Sequence, residues 1–339
     1  MTGPLHYEAD ELDELDQAPP LFVDVAALLA GGIPEPPKPV LLTREDGHSL
    51  FYAGKTNILF GDPECGKSWI AYSAVAEALT DGRRAAIVDA DHNGAAEIIP
   101  RLLALGVHPK ILGDQDVFRL AEPEESEELL AVVGELRDWR PAVAVVDSLG
   151  EIIPMLRLSS NSPDEYTQGH RLTLSALASS GAVVVAIDHL PKSDDARDRG
   201  ATGTLAKLRA INGASYRVTV AEPFSPGLGG AASLVVHKDR PGGVREHCTG
   251  EKRTLAGRYI LDALPNGGVR WRIVTATLPL PPMDRSYADV AEVDALDPPP
   301  KSKRDVMDRT GWGSGRALRA LQDWHKMQSD EARSGGWSG

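Results

Sequence analysis

The stretch Gly61-Asp62-Pro63-Glu64-Cys65-Gly66-Lys67-Ser68 constrains this chain more than any other. It reads G-x-x-x-x-G-K-S. It lies between an apolar run, Asn57 to Phe60, and an alanine-rich run, Ser68 to Thr80, that has neither proline nor glycine. The first run predicts a buried strand and the second a helix, which is the setting in which the motif has a mechanism. Gly61 and Gly66 carry no Cβ, so backbone N–H groups can close round phosphate oxygens at the N-terminus of the new helix. Lys67 places a point charge on the terminal phosphates, and the Ser68 hydroxyl is a ligand for Mg²⁺. The candidate nucleotide-binding set is Gly61, Asp62, Pro63, Glu64, Cys65, Gly66, Lys67, Ser68 and Trp69. The plainer alternative is a glycine-rich turn that holds a lysine by coincidence.

From residue 55 to about 190 the pattern alternates. Short apolar runs at Asn57–Phe60, Ala85–Asp89, Val117–Leu120, Val143–Asp147 and Val183–Ile187 predict strands. The stretches 68–80, 94–105, 124–138 and 165–179 between them predict helices. Such alternation implies an α/β fold, a mostly parallel central sheet covered by helices on both faces. Ligands of such sheets gather at the carboxyl ends of the strands. After about 210 the runs Ser215–Ala221, Ser233–His237, Tyr259–Ala263 and Gly268–Val274 predict hairpins that extend the sheet.

The strand ends carry the candidate chemistry. Val143-Ala144-Val145-Val146-Asp147 ends in a carboxylate that would hold Mg²⁺ beside Ser68; the alternative is a cap on the next segment. Ile87-Val88-Asp89-Ala90-Asp91-His92 offers Asp91 to orient an attacking water, or else a helix cap. Val185-Ala186-Ile187-Asp188-His189 offers an imidazole that would sense the terminal phosphate, against a structural histidine bonded to backbone. Lys238 and Arg240 sit one residue apart at the end of another apolar run. They would meet transition-state charge in their own or a neighbouring subunit, or else form a solvated basic hairpin tip.

The chain has 339 residues, 42% of them hydrophobic and 25% charged, which suits a globular chain of one large or two smaller domains. Its two cysteines, Cys65 and Cys248, form neither a disulfide framework nor a zinc site, which fits a reducing cytoplasm. No run is long and apolar enough to suggest a membrane span, and the N-terminus shows no signal-peptide pattern. The net charge of −13 excludes nonspecific nucleic-acid binding over the whole surface. The charge is uneven: residues 1–20 hold six Asp and Glu and no Lys or Arg, whereas 301–339 hold eight Lys and Arg against five Asp and Glu. The expected organisation is an acidic arm (1–20), a short helix and Pro-rich strap (21–50), the core (51–275), a Pro-rich linker (276–302) and a small helical tail (303–339). The segment Leu41 to Tyr52 is a hairpin candidate turning at Asp46-Gly47. In the tail, Lys303 to Arg309 and Gly315 to Met327 are helix candidates, either parts of a helix-turn-helix reading DNA or an amphipathic end docking on protein.

Taken together, the phosphate loop, Ile87-Val88-Asp89-Ala90-Asp91-His92 and Val145-Val146-Asp147-Ser148 resemble the RecA-like ATPases, in order and spacing. Asp91 falls where that family has its catalytic glutamate, so the carboxylate is one methylene shorter. Asp188-His189-Leu190-Pro191-Lys192, with Arg199-Gly200 and Arg209, looks like the hexameric plasmid helicases called RepA. Lys238-Asp239-Arg240 with Gly242 resembles the Lys-x-Arg-x-Gly segment of DnaB-type helicases. The resemblance covers about residues 50 to 275. It implies a RecA-like phosphate-loop core with a C-terminal β-hairpin extension, and ATP and Mg²⁺ bound between subunits of a ring or filament, with a hexamer expected. It also implies single-stranded DNA as substrate and a replication or primase partner. In that family two loops line the DNA channel, which here would be Glu151 to Tyr166 and Pro191 to Gly203. By the same resemblance Lys67, Asp91, His189, Lys238 and Arg240 are the catalytic candidates, with Arg199 and Arg209 as alternates. The expected activity is a DNA-stimulated ATPase of the replicative-helicase kind. A recombinase and a slowly hydrolysing, protein-binding switch are the alternatives; the acidic surface and the aspartate at 91 speak for the switch.

Overall fold

The computed structural model describes residues 22–33, 35–190, 205–249, 254–265, 267–275 and 286–334. It divides into two units, 1–36 and 37–339. Of the first, helix α1 (Val25–Gly31) is capped by Asp24, whose carboxylate accepts from Ala27 N at 2.9 Å.

In the second unit a small antiparallel pair, β1 (Leu41–Thr43) and β2 (Ser49–Phe51), turns through Gly47, whose φ of 85° suits a residue without Cβ. Leu41, Leu42, Leu50, Phe51 and Tyr52 are buried in the main core. This hairpin therefore belongs with the core rather than with the strap that precedes it. A local reading misses this, because the hairpin's apolar residues find their partners on a helix distant in sequence.

The central element is a nine-stranded sheet ordered β11-β10-β9-β8-β3-β7-β6-β4-β5. Its parallel half consists of β3 (Lys55–Gly61), β4 (Ala85–Asp89), β5 (Phe118–Ala121), β6 (Val143–Asp147), β7 (Val183–His189) and the start of β8 (Ala214–Ser225). Then β9 (Gly229–Asp239), β10 (Leu255–Ala263) and β11 (Val269–Val274) continue it antiparallel. The α/β class, the mostly parallel sheet and the hairpin extension are as the alternation implied. Side chains two apart share a face. Val143 and Val145 enter one core with Ala85, Ile87 and Leu59, while Ala144 and Val146 enter the other with Ala86, Val88 and Ile58. Being buried on both sides, these strands read as continuous apolar runs.

Helices α2 (Lys67–Thr80), α3 (Ala95–Ala104) and α4 (Pro109–Leu112) follow β3 and β4. The opposite face carries α5 (Ser126–Trp139), α6 (Leu149–Met155), α7 (Pro163–His170), α8 (Ala176–Ser179) and α9 (Leu205–Ala210). The helix expected over 165–179 is present and runs without a gap from residue 163 to 179, with a π turn, Arg171–Ser175, inside it; His170 and Thr173 are buried there. One detail departs from expectation. The expected channel loop from Glu151 to Tyr166 is largely helical: α6 and α7 lie so close that a Cβ on Gly169 would come within 2.7 Å of Ile153 Cδ1. The other expected channel loop, Pro191 to Gly203, lies outside the described residues, and with it Lys192, Arg197 and Arg199.

The tail holds α10 (Ser286–Asp294), α11 (Lys303–Thr310) and α12 (Ser314–Ser334). Finding α10 corrects the reading of 276–302 as a bare linker. Its Val290 and Val293 join Val306, Trp312, Ala317, Ala320, Leu321 and Trp324 in a core of their own. The sequence hid this helix because, among its described side chains, only Val290 and Val293 are buried and apolar; the described polar anchors are Asp289 to Arg316 and Asp294 to Trp324. Among the described residues no helix is long and apolar enough to cross a membrane.

Candidate functional site

The glycine-rich loop leaves the carboxyl end of β3 and enters α2 at Lys67. Gly66 has a φ of 92°, and a Cβ there would lie 2.4 Å from the Phe224 ring; a Cβ on Gly61 would lie 2.4 Å from Val218 O. Both glycines are thus required by close approach, and at Gly66 by backbone conformation too. The Lys67 ammonium donates to Gly61 O at 3.2 Å and Asp62 O at 2.7 Å, and stands 3.8 Å from Cys65 Sγ. Cys65 is buried, which pushes its thiol above the usual range.

Strand order brings the other candidates beside the loop. Gly61 on β3 is level with His189 on β7; the next strand, β6, ends at Asp147, and Asp89 of β4 is level with Asp147. Ser68 Oγ donates to Asp147 Oδ2 at 3.3 Å. Asp147 O accepts from the N–H groups of Ala90 and Asp91, which ties the end of β4 to that of β6. Ser148 Oγ then donates to Asp91 Oδ1 at 3.1 Å, and the Asp147–Ser148 peptide is cis. Asp89, by contrast, accepts from Asn93 Nδ2 and Gly94 N and so holds the turn that leads into α3.

These groups border one cavity of about 710 Å³, lined by Pro63 through Trp69, Asp91, Asp147 and His189. Burial, followed by the charges of Asp91 and Asp89, pushes the Asp147 carboxyl up to about 7. A divalent cation beside it would reverse that balance. No group of three or more Asp, Glu, His or Cys is arranged to hold a metal among the described residues. A Mg²⁺ here would therefore rest on Ser68, Asp147, water and the oxygens of a bound phosphate, as that ion commonly does. The donor set fits a magnesium nucleotide.

The roof was not legible in sequence. Gly61 pairs with Val218, and β8 runs on to Ser225 before turning back at Gly229, so the β8–β9 tip overhangs the loop and brings Phe224, Ser225 and Pro226 to the cavity. Leu261 and Val269 of the next hairpin complete it. On the opposite wall the Arg101 guanidinium lies 5.6 Å from the Trp69 ring centroid and pairs with Glu97.

Lys238 and Arg240 are elsewhere. β9 runs antiparallel to β8, so its final residues face Ala214 and Ser215, at the opposite edge of the sheet from the β8–β9 tip. The Lys238 ammonium is held by the carbonyls of Leu208 at 2.5 Å and Ile211 at 2.8 Å, at the end of α9. Arg240 and Arg209 are exposed. The turn carrying Arg240 is fixed by Asp239, which accepts from Tyr52 Oη and from the N–H groups of Gly242, Val244 and Arg245. At the end of β7, Asp188 accepts from His189 N and makes a buried 2.7 Å ion pair with Lys207 of α9.

No protein-family profile matches the chain. It is 30% identical over 146 residues to the protein RecA of Chlorobium limicola, covering 40% of this chain and 39% of that protein. It is 28% identical over 149 residues to the protein RecA of Chlorobaculum parvum, covering 41% and 40%. The matched stretch thus spans about two-fifths of the length of these curated relatives. This distant and partial similarity, together with the strand–loop–helix at Gly61–Ser68 and the sheet around it, supports a RecA-like phosphate-loop ATPase core.

Proposed function

We propose that this chain is an ATP-hydrolysing motor acting on DNA, of the RepA-type replicative-helicase kind found in phages and mobile elements. Lys67 binds the β- and γ-phosphates, Ser68 and Asp147 hold Mg²⁺, Asp91 orients the attacking water, and His189 senses the γ-phosphate. Arg240 completes the site of a neighbouring subunit, with Arg199 and Arg209 as alternates. Lys238, bonded to the end of α9, acts beside it by positioning. The observation that carries the reading is the meeting of groups from four strands, β3, β7, β6 and β4, at one cavity. The matches to RecA favour a second reading, a recombinase or recombination mediator assembling on single strands.

Steady-state ATP hydrolysis with and without single-stranded DNA tests the proposal, with Lys67→Ala as the blank. Strong stimulation is expected. A strand-unwinding assay then separates motor from recombinase, and hydrolysis indifferent to DNA would replace both with a protein-binding switch. The shared site has its own test. Arg240→Ala should slow turnover by about 10³-fold. Mixing it with Asp91→Ala should restore activity, because some interfaces would then hold both intact residues.

A further inference from the structure

The tail α10–α12 is a module with its own core, and its last two helices are joined by only Gly311, Trp312 and Gly313. Gly311 closes α11 in the left-handed conformation, with φ 73° and its N–H bonded to Met307 O at 2.9 Å. Trp312 then turns into the core, and the Arg316 guanidinium lies 3.9 Å from its ring centroid while bonding Asp289 of α10 at 2.7 Å. Lys303 at the start of α11 donates to Ser314 at the start of α12 at 3.0 Å. Three features thus coincide: a short helix, a three-residue glycine turn, and a long second helix braced by a third. That is the construction of a helix-turn-helix, whose second helix enters the major groove.

The outward face of α12 has the matching chemistry. Ala317, Ala320, Leu321 and Trp324 face the core. At about 3.6 residues per turn, Gly315, Arg319, Gln322 and Lys326 form the stripe directly opposite. All four are exposed, and the stripe contains no carboxylate. Arginine, lysine and glutamine are side chains that read base edges, and Gly315 leaves room for close backbone approach at the helix start. Leu318, 43% exposed on one flank, suits a thymine methyl, while Asp323 lies on the other flank. We infer that the tail is a duplex-DNA reader, distinct from the nucleotide site, which selects DNA sequence through Arg319 and Gln322 without needing ATP.

The test uses the full chain carrying Lys67→Ala, so that its outcome is independent of hydrolysis. It is incubated without nucleotide with a pool of labelled duplexes randomised at their centre, and the retained duplexes are sequenced. A shared short motif is expected, with affinity for it lowered about tenfold or more by Arg319→Ala/Gln322→Ala. Both positions are exposed, and unchanged amide-exchange protection across residues 303–324 would report an intact module. Gln322→Glu should shift the base preference at one position of the motif. Retention of duplex without sequence preference, equal affinity of parent and double variant, or a tail that captures only protein would each overturn the inference.

Discussion

Asp147 and Asp239 are both buried aspartates at strand ends of the same sheet, yet they stand at opposite edges and in opposite circumstances. Asp239 accepts four hydrogen bonds, one from Tyr52 and three from the backbone of the turn it stabilises. The Asp147 carboxylate accepts one among the described residues, from Ser68 at 3.3 Å, and faces the carboxylates of Asp91 and Asp89. Burial near like charge drives its carboxyl up to about 7, whereas both carboxyl oxygens of Asp239 are met by donors. The difference separates a carboxylate that builds structure from one kept short of partners where a cation would supply them.

The sharpest way to break this contrast is to remove the charge proposed to face the phosphates. Lys67→Ala should lower ATP turnover by about 10³-fold or more, read as phosphate release; turnover near that of the parent would discard the phosphate-loop assignment. Asp239→Ala takes the acceptor from the Tyr52 hydroxyl proton and from the N–H groups of Gly242 and Arg245, while Val244 N keeps Tyr52 Oη, so urea unfolding should show a loss of about 3 kcal/mol. Stability equal to the parent would mean that Asp239 is not structural. Asp147→Asn should act the other way round. Turnover should fall about 10²-fold, roughly 2.7 kcal/mol, while the thermal midpoint without nucleotide stays level or rises, because a costly buried charge is gone. A lower midpoint would place Asp147 with Asp239.

The smallest effect concerns a third buried group. His170, at the π turn, bonds Ser175 Oγ at 3.0 Å through Nδ1, and its Nε2 has no partner among the described residues. Burial pushes its imidazole from 6.5 down to about 4. The folded state therefore binds fewer protons than the unfolded one between those values. The associated stability is complete above about pH 6.5 and declines as pH falls towards 4. Unfolding measured at about pH 6.5 and about pH 5 should differ by about 2 kcal/mol from this group. His170→Gln should flatten that part of the profile; an unchanged slope would assign the acid sensitivity to other groups.

Much of the fold was legible because its signals are local. Ala85–Asp89 and Val143–Asp147 end where their apolar runs end, and β8 to β11 follow the glycine and proline turns. Less of the site was. Asp91, His189 and Asp147 are separated in sequence and can be placed together only if strand order is known, since β7 inserts between β3 and β6. Lys238 reads as a free cation in sequence, yet its ammonium closes the end of α9, whose carbonyls lie nearly thirty positions earlier. Phe224 gives no motif at all; it reaches the loop only because β8 outruns β3.

By itself the sequence determined the phosphate loop with its flanking strand and helix, the alternation that makes a parallel sheet, and the hairpins that follow. Each of these depends on residue type and short-range periodicity. Tertiary structure alone decided which strand ends are neighbours, which aspartate is left short of donors, and that α10 completes a third core with α11 and α12. The physical reason is that burial, electrostatic coupling and packing partners belong to pairs of residues far apart along the chain. Their pairing is settled when the sheet order and the helix contacts form.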